Sequence, residues 1–165
     1  QIIVFAGSNA ATDNRFNGVI GLAAYQNGNW ALEPPILIAT GLNTELELPH
    51  FVFRDGLYYL FWCTQSHTFS PEVVGVTGLY GMVAPTIRGP YRPLNESGLV
   101  ICNPMSMPSQ SYGWRVAGDL QVVSFLNDAA LGSKSEKFIG TISSKSVIEL
   151  NGERVKRSSS QVSLV

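Results

Sequence analysis

The sequence predicts an all-β protein built from repeated four-stranded antiparallel units. Three observations predict it. Charged residues are only 14% of 165, while Gly (16) and Pro (9) are plentiful, a composition that favours turn-rich β structure. No segment sustains a 3.6-residue apolar period, so helix is minor. Short apolar runs bounded by turn residues recur three times in the same order.

The first strand is Gln1-Ile2-Ile3-Val4-Phe5, and its counterparts are Tyr58-Tyr59-Leu60-Phe61 and Val122-Val123-Ser124-Phe125. A loop follows each, then a second run: Gly18–Ala23, Gly78–Ala84 and Phe138–Ile142. A turn and an outer strand come next, at Asn27–Trp30, Arg88–Leu94 and Leu150–Val155. The second and third copies also carry a strand in front, Phe51–Phe53 and Trp114–Val116, closed by turns at Asp55-Gly56 and Gly118-Asp119. Four-stranded units repeating roughly every 60 residues are the blades of a β-propeller. A plain β-sandwich gives many short strands too, but the likeness between units and the matching turns favour the propeller. Roughly eleven strands make about two and a half to three blades, against the 4–8 of closed rings. Residues 1–165 are therefore expected to form a single partial propeller domain whose open face meets further sequence or another copy.

Composition also excludes function classes. Eleven basic against twelve acidic residues, with no basic run, argue against nucleic acid or an anionic membrane as the main partner. No apolar stretch approaches the ~18–20 residues of a membrane helix. Cys63 and Cys102 each sit in an apolar strand-like run and read as two buried thiols rather than a bridge. His50 and His67 are the only histidines, and no cluster has metal-ligand spacing, so neither a metal nor a cofactor is expected. The chain opens directly in a strand, without Met or a signal-peptide layout, as expected after upstream processing or in part of a longer polypeptide.

Inner strands of a propeller line the central channel, so residues entering them share one pocket. Glu45-Leu46-Glu47-Leu48-Pro49-His50 enters the second full blade, with two carboxylates at i and i+2 on one side of an extended segment. Such a pair suits general acid chemistry, and equally a solvated loop carrying two acids. Gln110-Ser111-Tyr112-Gly113-Trp114 enters the next blade with hydrogen-bonding and stacking groups suited to sugars, or with an aromatic core. Trp30, Trp62 and Trp114 read as packing between blades, with stacking on sugar faces the alternative. Asn95-Glu96-Ser97 fits a glycosylation sequon; Ser143–Ser146 and Ser158–Ser160 read as polar turns or tail.

The run Asn43-Thr44-Glu45-Leu46-Glu47-Leu48-Pro49-His50, with the following turn and strand Asp55–Phe61, resembles the levansucrase family, glycoside hydrolase family 68. The likeness continues through Gly78–Gly81, Leu94–Val100, Asn103-Pro104, Gln110–Tyr112 and Val123–Phe125, and reaches back to Phe5–Ser8, Trp30 and Pro34-Pro35, about residues 1–130 in all. It implies part of a five-bladed propeller acting on sucrose or fructans by a retaining mechanism, outside the cytoplasm, in the extracellular space or periplasm. The family's signature places the acid/base at Glu47. It places Glu45 where some members carry a second acidic residue that binds substrate, and Gln65 at the usual His or Arg position, with His67 close enough to compensate if the loop shifts. Gln110 and Tyr112 join these as candidate substrate-binding residues through their hydrogen-bonding and stacking groups.

The sequence departs from that pattern at four positions. Leu48 stands where an Arg holds substrate hydroxyls, Ala6 where a Glu is expected, and Gln65 where His or Arg is usual. Thr44 stands where some members place an acid for structural calcium. A retaining mechanism also needs a partner carboxylate about 5–5.5 Å from the acid/base. In the family the nucleophile and transition-state stabiliser lie upstream, so an isolated chain is expected to be inactive. Two readings stand: part of a fructosyl-transferring enzyme completed by upstream blades or a second chain, a homo-oligomer included; or a degenerate half-propeller binding carbohydrate or a protein without catalysis.

Overall fold

Alternation along β6 (Leu57–Thr64) sets the architecture. Tyr59, Phe61 and Cys63 point to one side of their sheet and Leu60 and Trp62 to the other, and all five are buried. The run reads as continuous apolar sequence because its sheet is sandwiched between two others. In the computed structural model, residues 1–127, 140–143 and 146–158 are described. They form three antiparallel sheets.

The first sheet contains β1 (Ile2–Ser8), β2 (Gly18–Gln26), β3 (Asn29–Leu32) and β4 (Leu37–Ile38), the last two both pairing with β2. The second runs β5 (Glu47–Arg54), β6, β7 (Gly78–Ala84), with β8 (Arg92–Pro93) and β9 (Leu99–Cys102) sharing the edge of β7. The third runs β10 (Ser111–Val116), β11 (Gln121–Asn127), then β12 (Gly140–Ile142) and β13 (Ser146–Asn151) on β11, and β14 (Arg154–Arg157) on β13. These are the repeated units expected from the sequence. β1 corresponds to β6 and β11, so β5 and β10 are the inner strands and the first sheet has none among the described residues.

The repeat has a packing reason. Phe5 lies across Gly21, Phe61 across Gly81 and Phe125 across Gly140, and a Cβ on any of the three glycines would collide with the facing ring. At Gly81 that Cβ would sit 2.8 Å from Phe61 Cδ1, too close for an ordinary contact. The hairpin turns at Asn27-Gly28 and Asp55-Gly56 have both residues at positive φ, the geometry that matches strand twist.

Two cores follow. Val52, Phe61, Leu79, Trp114, Val122 and Ile148 fill the space between the second and third sheets; Ile20, Leu46, Leu60 and Trp62 fill that between the first and second. Ion pairs fasten the rims: Arg88 grips Glu33 with two bonds of 2.7 and 2.6 Å, and Arg92 meets Glu153 at 2.8 Å. These pairs are exposed, so they set alignment more than stability.

Several expectations are corrected. The turn and outer strand expected within Arg88–Leu94 are present, but the strand is short, pairing at Arg92–Pro93, and β9 extends that edge after a loop. Ser146 begins β13 rather than lying in a turn, since its residue pairs with Val122. Ser158 donates its N–H to Val147, so pairing runs on past β14. Residues 138–139, 144–145 and 159–160 lie outside the described residues. Cys102 is exposed because it ends a short outer strand; Cys63 alone is buried. Trp62 and Trp114 are buried between sheets, but Trp30 is 47% exposed beside Tyr25, on the outer strand of a face that no described residue covers.

Candidate active site

Glu47 opens β5 and its residue pairs with Cys63 on β6. The ladder then slips: register is lost between Glu47 and His50, and Leu48 adopts a positive φ of 52°. A matching irregularity interrupts β10 between Tyr112 and Arg115, where Gly113 has φ 67°. Bulges re-aim the side chains beside them. Here two bulges face each other: a Cβ on Gly113 would lie 3.6 Å from Leu48 Cδ1. The residues flanking them meet, with the Tyr112 hydroxyl donating to Glu47 Oε2.

Burial and the hydrogen bond to Glu47 push the Tyr112 phenol well above its ordinary range, and the negative charge of Glu47 and Glu45 adds to it. Of the two glutamates only Glu47 bonds the hydroxyl; Glu45 acts on it through its charge alone. Tyr112 stays a proton donor throughout the physiological range and orients the Glu47 carboxylate.

A buried polar cluster braces the approach to Glu47. Asn43 Oδ1 accepts the Glu45 N–H at 2.7 Å, an Asx turn, while its Nδ2 donates to Thr64 Oγ1 at 2.9 Å. Thr68 Oγ1 lies 2.9 Å from Thr64 Oγ1 and 3.0 Å from Asn43 Oδ1. The Asn43 carbonyl accepts the Gly18 N–H at 2.9 Å, tying the first sheet to this loop. No buried polar side-chain atom lacks a partner among the described residues. The sequence reading missed this cluster, although an Asn two residues before an acid in a loop is the Asx-turn signal.

Gln65 and Tyr112 line one cleft of about 390 Å³ between the second and third sheets, with Thr77, Ser109, Ser111 and Asn127. Gln110 lies across the loop, in a neighbouring cleft of about 320 Å³ with Asn103 and Ser124. His67 stands exposed on the short 3-10 turn Ser66–Thr68 and does not line the Gln65 cleft, so the structure does not bring it to Glu47. Leu48 is 53% exposed at the site's rim, and Ala6 is exposed on β1. Thr44 Oγ1 donates to the Thr68 carbonyl at 3.3 Å. Among the described residues no three His, Cys, Asp or Glu cluster closely enough to hold a metal ion.

The chemistry available here is a carboxyl positioned by a phenol, beside an amide-lined and hydroxyl-lined cleft. That set can exchange a proton with a leaving oxygen and hydrogen-bond polyols. Among the described residues no Asp or Glu other than Glu45 accompanies it.

Comparison with known proteins identifies the family. The sequence matches the family described as Levansucrase/Invertase over residues 5–161, further than the stretch of about 1–130 legible in the sequence. A levansucrase of Erwinia amylovora is 39% identical over 140 residues, covering 83% of this chain and 34% of that protein. An extracellular sucrase of Zymomonas mobilis is 40% identical over 126 residues, covering 74% of this chain and 30% of that protein. Among solved structures, an inulosucrase from Halalkalicoccus jeotgali bound to kestose superposes with a TM-score of 0.81 at 34% identity, covering 94% of this chain and 46% of that one. The chain thus spans about a third of the length of the curated relatives it matches.

Proposed function

Because the chain belongs to the Levansucrase/Invertase family, glycoside hydrolase family 68, we propose that it carries the acid/base part of a retaining fructosyl-transferring site. In this reading the substrate is sucrose or a fructan. Glu47 protonates the departing glycosidic oxygen, then as carboxylate takes a proton from the incoming water or sugar hydroxyl. Tyr112 orients it, and Glu45, Gln65 and Gln110 bind substrate hydroxyls. The nucleophile and transition-state stabiliser come from further blades of a five-bladed ring, supplied by longer sequence or a second chain. A relative described as extracellular supports action outside the cytoplasm.

The observation that carries the proposal is the Tyr112–Glu47 hydrogen bond, formed at the ends of two inner strands within a family-68 chain. The test is Glu47→Gln in the native particle. Sucrose turnover falls by about 10²–10⁴, the usual contribution of a general acid/base. Unchanged turnover overturns the assignment. Light scattering with denaturing intact-mass analysis of the same sample shows first whether other sequence completes the ring.

A second reading, a carbohydrate-binding half-propeller without catalysis, is favoured by Leu48 and by the lack of a nucleophile among the described residues. A particle built only from this 17.9 kDa chain supports it.

A further inference from the structure

His50 is 5% exposed and bonded at both ring nitrogens to the two strands that carry the site. The Val116 N–H of β10 lies 3.0 Å from Nε2 and can only donate, so Nε2 is the acceptor. The ring proton therefore sits on Nδ1 and is donated to the Leu48 carbonyl of β5 at 2.9 Å. One neutral imidazole thus spans two neighbouring sheets. It grips the residue whose left-handed backbone follows Glu47, and it lies behind the bulge that follows Tyr112. A branched side chain at positive φ costs about 1 kcal/mol, so the Leu48 turn persists only because its surroundings hold it. Phe61 flanks the ring, with centroids 5.7 Å apart.

We propose that His50 is the positioning residue of the Glu47–Tyr112 pair, and that a proton taken up at Nε2 releases the pair. Its consequence for turnover rests on the reading of Glu47 as acid/base; the structural coupling does not. A proton from solvent on the Nε2 lone pair turns the acceptor into a donor, leaving the Val116 N–H facing N–H. The buried cation and the unpaired amide both favour moving the ring. Once the ring moves, the Leu48 carbonyl loses the donor that ties its left-handed turn to β10, and the Glu47 side chain loses its direction.

Of the charged and titratable groups on the strands packed about the ring, Arg115 on β10 acts on it directly, while Glu47 lies on its own strand, Tyr112 on β10, and Tyr59 and Cys63 on β6. Burial holds the imidazole below its ordinary range; the Leu48 carbonyl acts the other way, and Arg115 lowers it further. An unfolded histidine takes its proton near pH ~6.5, above the folded group. The contribution of this residue to stability is therefore complete above pH ~6.5 and is lost as pH falls through the folded value.

The test is an NMR titration of the full chain, following the His50 ring nitrogens, the Val116 amide and the Tyr112 phenol carbon. All three move with one midpoint below pH ~6.5. His50→Gln keeps an acceptor for Val116, and His50→Asn keeps a donor for Leu48. Both remove the titrating group, so the Tyr112 step disappears in each. Persistence of that step in either variant overturns the proposal, because another group then causes it. If neither variant folds, the wild-type titration decides alone: Tyr112 or Val116 moving at a midpoint different from that of His50 overturns the proposal. Turnover by Glu47→Gln tests the catalytic reading separately and leaves this result standing.

Discussion

The Tyr112 phenol, on the inner strand of one sheet, donates its proton to the Glu47 carboxylate on the inner strand of the next. Neither side chain is aimed there by regular strand geometry. The contact exists because β5 slips after Glu47 and β10 slips after Tyr112. The site is therefore a property of the junction between blades rather than of either one.

Tyr112→Phe isolates the contact, because it removes one oxygen and keeps the ring packed against Trp114, whose centroid is 6.0 Å away. The expected stability loss in urea is about 1.5–3 kcal/mol, the scale of one hydrogen bond to a charged group. In the native particle the expected effect is a kcat reduced about tenfold or more with KM less affected, since the lost hydrogen bond orients the acid in the reacting complex. Equal kcat in the variant overturns the orienting role.

Leu48→Arg tests the departure at the rim. Leu48 is half exposed, so a longer polar side chain meets solvent rather than core, and the left-handed backbone demand is the same for both residues. In the family-68 reading the guanidinium supplies donors to substrate hydroxyls. Saccharide affinity then rises, measured as a lower KM for sucrose in the native particle or tighter fructan binding by calorimetry. Unchanged affinity in both assays means that Leu48 lies outside the substrate's reach.

The sequence made the strands legible wherever a turn has a strong local signal. Asn27-Gly28 and Asp55-Gly56 close hairpins where expected, and the apolar run Tyr58–Cys63 is the doubly buried strand. The broken outer edges were not legible. β8 with β9, and β12 with β13, each share one neighbouring strand, and such interruptions depend on tertiary packing rather than on local propensity. At the site, the family signature located Glu47 and Tyr112 separately, but no local pattern joins residues 65 positions apart. His67 shows the same limit from the other side: two residues from Gln65 in sequence, it stands exposed on a 3-10 turn and does not line the Gln65 cleft.

The two thiols should differ sharply in reactivity. Burial pushes the Cys63 thiol up to about 12, with the Trp114 carbonyl accepting its S–H at 3.3 Å. Cys102 is exposed. Thiolate is the reactive form, so a disulfide reagent at pH 8 titrates one thiol in the folded chain and two in urea. Two fast thiols in the folded chain mean that the core between the second and third sheets opens readily.

The Asn95-Glu96-Ser97 sequon provides the last test. Asn95 adopts a left-handed φ of 50°, which asparagine tolerates better than most residues. Its Nδ2, the nitrogen that a glycan would occupy, donates to the Leu99 carbonyl at 3.2 Å, while Oδ1 accepts the Val155 N–H of β14 at 2.9 Å. Its backbone N–H donates to the Glu153 carbonyl at 2.8 Å. The side chain is thus a clasp from the second sheet to the third through Oδ1, and a glycan would have to replace an amide hydrogen on the Nδ2 that is held against the Leu99 carbonyl. When the chain passes through a glycosylating secretory pathway, intact-mass analysis of folded material should show no glycan at this position. Asn95→Ala should cost about 2–3 kcal/mol in urea, because the Val155 N–H loses its partner and alanine is less tolerant of the left-handed turn. Undiminished stability of Asn95→Ala would mean that the two sheets are held together without this clasp, and a glycan on folded material would mean that Nδ2 is not committed to Leu99.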